Sequence, residues 1–403
     1  MPGIFSGLKV LDFCWVVIGP MTTRYFSDYG ATVVRVESKH RPDVIRNGLP
    51  YARGKPGINR SGYWANYNSG KMSLALNMSD SRARDIAFEL ATNWADVITE
   101  NFTPGTMEKW GLGYEEIAKI NPGVVMFSAS MLGRGGPNDS QPGFGPVLTA
   151  LSGHTNFTGW PDRVPVSPYG AYTDFLIPHM ALSAIIAALE YRDDTGKGQH
   201  LDLSQLEAAL YFLAPNFLDY TVNGRVGTRS GNKDANMAPH NAFPCLGEDR
   251  WCAIACADDA QWESLARIMG KPELLQDPRF QNLEKRKANE EELDAIVGTW
   301  TILHEVEGIV DSCQKAGIAA GAVKDSRDLF SDPELLHRGH FVFQDHPDIG
   351  LYASDANCFS MSDSSPQYRR APLIGEHTNE ILSDICGMSA TDIKTLEREG
   401  VLE

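Results

Sequence analysis

The sequence predicts an α/β protein with a large domain on a parallel β-sheet and a smaller α+β domain. Strand and helix patterns alternate through the first half of the chain. A polar, Gly/Asn-rich stretch at 224–240 then interrupts the chain, and 403 residues are too many for one small core. We place the large domain at 1–220 plus 330–403, the small domain at 225–325 and a linker at 221–240.

The first predicted unit is strand, helix, strand. The apolar run LKVLDFCWVV is followed by Gly19-Pro20, a helix from about Met21 to Tyr29, and a second strand ending near Glu37. This βαβ pattern is Rossmann-like, and parallel pairing places ligands at the carboxyl ends of the strands. The glycine triplet of a dinucleotide fingerprint is missing, so a nicotinamide cofactor is not expected.

Two further βα units follow. The segment YARGKPGINRSGYWANYNSGKMSLALN is rich in Gly, Asn and basic residues, which is typical of a ligand-facing loop before a short strand. The helix SDSRARDIAFELATNW and the strand ADVITEN come next, and GYEEIAKINPGVVMFSAS repeats the alternation. The repetition indicates a sheet covered by helices on both faces.

A single acid, Asp174, precedes an apolar helical run from Phe175 to Leu189. Asp is a preferred helix cap, so the ordinary interpretation is a side chain that accepts backbone N–H groups at the helix start. A functional interpretation needs support from elsewhere in the chain. We expect Pro178 and His179 to break this run, which leaves no apolar stretch long enough to span a bilayer.

The later part of the chain predicts the smaller domain. The strand RWCAIACA and amphipathic helices to about Ala320 form an α+β pattern, and an extended segment and short helices end the chain. Cys252 and Cys256 are spaced like half of a metal site, but no matching His/Cys pair follows. We therefore predict no metal.

Composition restricts the partners. A formal charge of −16 disfavours nucleic acid and anionic membranes, although a few local Lys or Arg residues can still hold an anionic small molecule. The N-terminus lacks the basic stretch and cleavage site of a secretory signal. Seven scattered cysteines then indicate reduced thiols and a cytoplasmic protein.

Five blocks, taken in order, resemble the class III CoA-transferase family. They are LKVLDFCWVVIGPMTTRYFSDYGATVVRVES, ENFTPGTMEKWGLGYEEIAKINPGVVMFSAS, YTDF, ALEYRDDTGKGQHLDLS and DPRFQNLEKRKANEEEL. The resemblance covers nearly the whole chain and implies that family's fold, in which two ring-like chains interlink as a dimer. The same fold serves 2-methylacyl-CoA racemases, so the resemblance alone does not settle the reaction.

The resemblance implies that Asp174 is a nucleophile. In the transferases, the Asp at this place attacks the thioester of a donor acyl-CoA, forms a mixed anhydride and then carries CoA as an aspartyl thioester. An acceptor carboxylate then receives the CoA, which leaves the enzyme as the thioester of that acid. Covalent catalysis conserves the thioester energy without ATP. No prosthetic group is implied, because coenzyme A enters as acyl-CoA substrate.

The resemblance also implies a coenzyme A site. The positions that match nucleotide- or pantetheine-contacting residues of the family are Val17, Gly19, Pro20, Lys71, Asn101, Phe102 and Lys109. Arg24 and Arg35 are weaker candidates for contact with the CoA phosphates, because a structural role would explain each of them equally well.

The chain departs from both well-known branches. Formyl-CoA transferases have Gln where this chain has Val17, Lys-Gly-Tyr where it has Ser130–Leu132, and a glycine-rich loop near DANMAPHNAF. Formate and oxalate are therefore not expected as substrates. Racemases need an acid/base His and Glu, but the matching places read GFG at Gly143–Gly145 and PHN at Pro239–Asn241. In the PHN stretch, His240 and Asn241 are candidate substrate contacts.

Several blocks look most like the branch that moves CoA from succinyl-CoA to bulky acids such as benzylsuccinate, sometimes with paired related subunits. Tyr63, Trp64 and Tyr67 would line a pocket for a large acyl group, or would simply be packing residues. We expect a homodimer or a hetero-oligomer. A racemase-like isomerase and a non-catalytic CoA-binding subunit remain alternative functions.

Overall fold

The structure is a computed structural model that describes residues 3–403. The chain divides into two compact units: the first holds the chain through Thr155, Ser167–Val226 and Glu334–Glu403, and the second holds Asn156–Val166 and Gly227–Pro333. The sequence predicts that residues 156–166 belong to the large domain. The structure groups them with the second unit, because Gly231 donates its backbone N–H to the Gly159 carbonyl at 2.9 Å.

A six-stranded parallel sheet forms the centre of the first unit. Its strands are β1 (Lys9–Asp12), β2 (Thr32–Glu37), β3 (Met72–Ala75), β4 (Val97–Glu100), β5 (Val125–Ser130) and β6 (His200–Ser204). They lie in the order β3-β2-β1-β4-β5-β6, and each neighbouring pair is parallel. The order reverses between β1 and β4, which opens a crevice at the carboxyl ends of the strands.

Helices cover both faces of this sheet. The helices through Asn223 are α1 (Ile18–Asp28), α2 (Gly62–Tyr67), α3 (Ser81–Asn93), α4 (Thr106–Lys109), α5 (Tyr114–Ala118), α6 (Gly145–Leu151), α7 (His154–Phe157), which crosses the boundary between the two units, α8 (Tyr172–Thr195), α9 (Gln205–Leu210) and α10 (Ala214–Asn223), with 3-10 turns at Val44–Asn47, Ala52–Gly54 and Tyr211–Leu213. Adjacent β1 residues face opposite layers: Leu11 packs with Leu90 of α3, and Val10 packs with Ile185 of α8.

Helix α1 begins earlier than predicted. It starts at Ile18 rather than Met21, so Gly19-Pro20 lies in its first turn instead of in a preceding loop. Proline is tolerated there because the first N–H groups of a helix have no intrahelical partner. The observed start also places the residues before Ile18 directly above the end of β1.

Helix α8 is not broken, which corrects the prediction at Pro178 and His179. It runs for 24 residues with Pro178 inside it. By length and mean hydropathy, 1.4 over its most apolar window, it could cross a membrane, and core helices pass the same test. Ile177, Ala181 and Ile185 are fully buried against the sheet, which identifies α8 as a core helix of this unit.

The second unit is built on a three-stranded antiparallel sheet. Its strands are β7 (His240–Pro244), β8 (Trp251–Ala255) and β9 (Ala319–Ala322), in that order. Its helices are α11 (Asp259–Ile268), α12 (Leu283–Ala288), α13 (Glu290–Thr301), α14 (Val306–Lys315) and α15 (Ser326–Phe330), with a 3-10 turn at Pro272–Leu275. Cys252 and Cys256 are core residues, and the described chain has no His/Cys/Asp/Glu group suited to a metal.

The C-terminal segment returns to the first unit. It contains α16 (Pro333–His337), a hairpin of β10 (Phe341–His346) and β11 (Gly350–Asp355), α17 (Thr378–Glu380), a π-helical turn at Ile381–Ile385, and α18 (Ala390–Arg398). Asn77 donates its backbone N–H to the Val401 carbonyl at 2.9 Å, and Val401 is fully buried in the sheet core. The last residues therefore pack against the end of β3.

Candidate active site

A cavity of about 480 Å³ lies along the carboxyl edge of the parallel sheet. We call it the sheet-edge cavity. Residues that follow β1, β2, β3, β4 and β5 line it, together with the loop that leads into α6 and the first turn of α8. Parallel pairing explains this arrangement, because the carboxyl ends of all these strands meet at one edge.

Asp174 lines the sheet-edge cavity from the first turn of α8. It is the third residue of the helix, and no side chain caps the helix at Ala171. Asp174 is therefore not the helix cap that the ordinary interpretation suggested. The residue is 6% exposed, and its Oδ1 has no hydrogen-bond partner among the residues that the structure describes. A carboxyl buried without a partner is unusual enough to require a functional explanation.

Burial raises the pKa of Asp174 from its ordinary value of 3.8 to about 7. Desolvation is the cause, because removing a carboxylate from water disfavours its charged form. Asp174 is therefore roughly half ionised near neutral pH. Its ionised form is poorly solvated and partnerless, which makes it a stronger nucleophile than a carboxylate in water.

Gly145 makes room for this carboxyl group. A Cβ at Gly145 would lie 2.4 Å from Oδ2 of Asp174 and 2.3 Å from the Cβ of Ala171. Any larger residue would displace the start of α8. In the sequence, Gly145 is only a departure from the racemase motif, because its packing partner Asp174 is remote along the chain.

The β1–α1 connection supplies Val17 to the cavity wall, but neither Gly19 nor Pro20. A Cβ at Gly19 would lie 2.1 Å from Sγ of Cys14, so glycine allows the chain to turn tightly into α1. The Pro20 carbonyl faces the interior and accepts a hydrogen bond from Lys71 at 3.0 Å. Gly19 and Pro20 thus support the β1–α1 connection without lining the sheet-edge cavity.

Asn101 and Phe102 both line the sheet-edge cavity. The Asn101 side chain accepts from the Trp15 backbone N–H and donates to the Trp15 carbonyl, each at 2.7 Å. The Phe102 ring packs edge-on against Trp15 and Trp110, with centroids 5.8 Å and 5.3 Å away. This forms an aromatic slot that suits the apolar stretch of a long ligand.

Lys71 does not reach the cavity, which conflicts with its predicted contact to coenzyme A. It is buried behind β1, and its Nζ donates at 3.0 Å to Asp12 Oδ2, to the Pro20 carbonyl and to Asn68 Oδ1. These bonds use all three ammonium donors. Burial lowers the pKa of Lys71 to about 8. Its position indicates a structural role beneath the loop.

Arg24 and Arg35 are also engaged inside the protein. Arg24 pairs with Asp28 at 3.3 Å, and Arg35 pairs with Asp43 at 2.5 Å and with Glu37 at 3.7 Å. Both arginines are buried, and neither lines the cavity. Their positions do not suit contact with a phosphate group.

Lys109 and Arg41 are both exposed cations near this region. Lys109 ends α4 one residue before Trp110, which lines the cavity. Arg41, which the sequence-based reasoning missed, lines the cavity itself with its guanidinium 5.7 Å from the Trp15 ring centroid. The basic run Lys39-His40-Arg41 directly after a parallel strand was the signal that would have identified it.

His240 and Asn241 belong to the second unit, at the start of β7. His240 Nδ1 lies 2.6 Å from the Asn232 carbonyl, and Asn241 donates to Asp294 Oδ2 at 2.8 Å. Both side chains are thus engaged within their own unit. Their predicted contact with substrate stays a prediction.

The aromatic residues of the 51–67 segment divide into two roles. Trp64 is buried, with the Arg46 guanidinium 3.5 Å from its ring centroid, so it is a packing residue. Tyr63 and Tyr67 are partly exposed and pack together at 5.3 Å, and Tyr67 also approaches Phe175 on α8. Burial, and then the nearby Asp174 charge, raise the pKa of Tyr63 to about 12.

Comparison with known proteins identifies the family. The family model described as CoA-transferase family III matches residues 5–378. The chain belongs to CoA-transferase family III. Succinyl-CoA–D-citramalate CoA-transferase of Chloroflexus aurantiacus is 29% identical over 404 residues, covering 100% of this chain and 98% of that protein. The beta subunit of succinyl-CoA–L-malate CoA-transferase from the same organism is 30% identical, covering 98% of each chain.

The family fold is also found among solved structures. A CaiB/BaiF family protein from Brucella suis superposes with a TM-score of 0.87 at 28% identity, covering 96% of this chain and all of that one. The resemblance drawn from the five sequence blocks is thus confirmed, as are the α/β fold and the assignment to the CoA-transferases. The predicted dimer and the roles of individual residues stay predictions.

Proposed function

We propose that this family III CoA-transferase moves coenzyme A from succinyl-CoA to an organic acid through covalent intermediates on Asp174. The observation that carries the proposal is the buried Asp174 carboxyl, which has no hydrogen-bond partner and lies in the wall of the sheet-edge cavity. Such a group has no evident structural partner and suits attack on a bound thioester.

The exchange takes four covalent steps, and none requires a proton. The Asp174 carboxylate attacks the thioester carbonyl, the C–S bond breaks, and CoA thiolate leaves a mixed anhydride. The thiolate attacks the aspartyl carbonyl, which releases succinate and leaves an aspartyl-CoA thioester. The acceptor carboxylate attacks that thioester, the C–S bond breaks, and CoA thiolate leaves a second anhydride between Asp174 and the acceptor. The thiolate then attacks the acceptor's acyl carbon, which regenerates Asp174. Low exposure of Asp174 protects both anhydrides from water.

Coenzyme A is proposed to lie along the cavity with its thioester at Asp174. The aromatic slot of Trp15, Phe102 and Trp110 suits the pantetheine chain, and Arg41 suits the phosphates because a guanidinium binds them bidentately. Lys109 is a second phosphate candidate on the strength of its exposed position. We assign Lys71, Gly19 and Pro20 to support of the β1–α1 loop.

The proposed acceptor is a dicarboxylic acid, and benzylsuccinate is the first to test. The names of the two Chloroflexus relatives pair succinyl-CoA with citramalate and malate. In this chain, Tyr63 is close enough to Asp174 for the carboxylate charge to raise its pKa, Tyr67 packs against Tyr63, and Phe175 packs against Tyr67. These rings favour an acceptor with an apolar or aromatic body. Exchange only with formate or oxalate would contradict the proposal.

Incubation with succinyl-CoA is expected to modify Asp174 covalently. The aspartyl thioester should react with hydroxylamine or be reduced by borohydride, and peptide mapping after intact-protein mass spectrometry would locate the product. Asp174→Asn is the control and should stay unmodified. An unmodified wild-type protein that still binds CoA would contradict the proposal and favour a non-catalytic CoA-binding subunit.

We propose that the protein also dimerises. Large apolar side chains are exposed on α6, α8, the Tyr211–Leu213 turn and α10, namely Leu151, Ile186, Tyr191, Phe212, Phe217 and Leu218. Exposed apolar area of this kind is typical of protein interfaces. Light scattering at micromolar concentration is expected to give the mass of a dimer or a larger oligomer. A monomeric mass would contradict the proposal.

We propose a cytoplasmic location. All seven cysteines are free thiols, and five of them are buried. Thiols persist in a reducing compartment, whereas secreted proteins usually pair them.

A further inference from the structure

Three consecutive backbone N–H groups after β1 are each held by a side chain. The Cys14 N–H donates to Asp12 at 2.9 Å, and the Trp15 N–H donates to Asn101 at 2.7 Å. The Val16 N–H donates to both carboxylate oxygens of Asp43, at 3.2 Å and 3.1 Å. The path of this loop is therefore fixed by Asp12 at the end of β1 and by Asn101 and Asp43 from two other parts of the sheet edge.

The third of these residues is strained. Val16 has φ +67°, in the left-handed region that β-branched residues rarely occupy. Such a conformation persists only where its surroundings enforce it, and it is concentrated at functional sites. Asp43 is the enforcing group here, since Arg35 at 2.5 Å and the Ile45 N–H at 3.1 Å hold its carboxylate in turn.

The next N–H group, that of Val17, is unpaired. Val17 is 1% exposed, yet its N–H has no hydrogen-bond acceptor anywhere in the described chain, residues 3–403. Buried backbone N–H groups without a partner are rare in folded proteins. Val17 lines the same cavity as Asp174, whose Oδ1 also lacks a partner. Val17, with an unpaired backbone donor, and Asp174, with an unpaired carboxylate oxygen, therefore line one cavity.

We infer that the Val17 N–H binds the thioester oxygen while Asp174 attacks the adjacent carbon, and that Asp43 is the residue that positions this N–H. The inference rests on the proposed function. As the aspartyl C–O bond forms, the carbonyl π electrons move onto that oxygen, which becomes an oxyanion. A fixed donor stabilises it until the C–S bond breaks and the thiolate leaves with its electron pair.

Asp43 also has an ordinary structural role that must be separated from the proposed one. It accepts from the Ile45 N–H at the start of a 3-10 turn and pairs with buried Arg35. Loss of either contact would destabilise the fold without any specific effect on the reaction. The two roles differ in one respect: only the positioning role depends on the backbone conformation of Val16.

Asp43→Asn is expected to lower kcat about 10- to 100-fold while KM for the acyl-CoA changes less than about twofold, because the contact strengthens in the transition state. Asp80→Asn is the matched control. Asp80 also accepts a backbone N–H, from Arg82 at the start of α3, but it does not line the cavity. Its kcat should equal that of wild type. Equal kcat for folded Asp43→Asn and wild type would overturn the inference.

Adding Val16→Gly to Asp43→Asn should restore kcat at least severalfold. Glycine adopts φ +67° without strain, so the loop no longer needs Asp43 to populate the active conformation. A purely structural Asp43 predicts no recovery, because Val16→Gly replaces neither the Arg35 pair nor the Ile45 contact. Failure to recover activity would therefore count against the positioning role.

A spectroscopic measurement covers the case in which Asp43→Asn does not fold. Difference infrared spectra of ¹³C-carbonyl succinyl-CoA bound to Asp174→Asn should show the thioester band shifted to lower wavenumber than in solution, because a donor polarises the carbonyl. An unshifted band would overturn the inference. Absence of CoA transfer by wild type would instead refute the proposed function, so the two failures are distinguishable.

Discussion

Asp174→Asn is expected to reduce CoA transfer at least about 10³-fold, because it removes the nucleophile on which both anhydrides and the thioester would form. In wild type, kcat/KM should rise with pH until the group is ionised, near its pKa of about 7, and then level off. CoA binding should persist in the variant, since the proposed phosphate and pantetheine contacts lie elsewhere in the cavity.

The same variant is expected to be more stable than wild type above neutral pH. Because burial raises the folded-state pKa of Asp174 from 3.8 to about 7, the folded protein binds the extra proton and wild-type stability falls as pH rises between those values. The full shift corresponds to at most about 4 kcal/mol at pH 8. The neutral amide avoids this loss but leaves its own polar atoms unpaired, so the gain should be smaller.

Thermal melts of both proteins at pH 4 and pH 8 test this expectation, with transfer kinetics on the same samples. Asp194→Asn, on the exposed last turn of α8, is the matched control and should change neither quantity. A stability difference that is the same at both pH values would contradict the burial of an ionisable Asp174. Retained transfer would contradict its role as nucleophile.

Gly145→Ala is expected to slow aspartyl-thioester formation about 10²-fold. The new methyl group would lie 2.4 Å from Asp174 Oδ2 and 2.3 Å from the Ala171 Cβ, so the carboxyl group must move from its position. A displacement of about 1 Å at a reacting group has an effect of this size. The overpacked contact should also destabilise the fold by about 1–3 kcal/mol.

Single-turnover trapping of the aspartyl thioester measures the first effect, and a denaturant titration measures the second. Gly136→Ala is the control, because a Cβ there meets no atom within 4 Å and its φ lies outside the left-handed region. Formation of the thioester at the wild-type rate in Gly145→Ala would show that the position of Asp174 is not set by this packing.

Much of the fold could be predicted because its signals are local. The apolar strand β1, the helix after it and the second strand are visible as periodic patterns within about thirty residues. The position of a ligand cavity follows from them, since parallel strands bring their carboxyl ends to one edge. Asp174 stood out as the lone acid at the start of an apolar run, and the family resemblance then gave it a role.

The failures concern contacts between residues distant in sequence. The segment around Lys71 has the Gly-, Asn- and Lys-rich composition of a ligand-facing loop. Only the folded chain shows that the three N–H donors of the Lys71 ammonium group are used by Asp12, Pro20 and Asn68. The predicted helix break at Pro178 was also wrong because of contacts between residues distant in sequence. Packing of α8 against the sheet compensates for the single backbone bond that proline removes.

The sequence by itself determined the α/β class, the family and the acid at the start of α8, because periodicity and the order of motifs can be read directly from the linear sequence. Only the tertiary structure decided which side chains face the sheet-edge cavity and which lie beneath it. The strained Val16 held by Asp43, and the space that Gly145 leaves for Asp174, depend on separations of 27 and 29 positions along the chain. Local sequence patterns do not indicate such contacts, because the contacts form only when the strands pair.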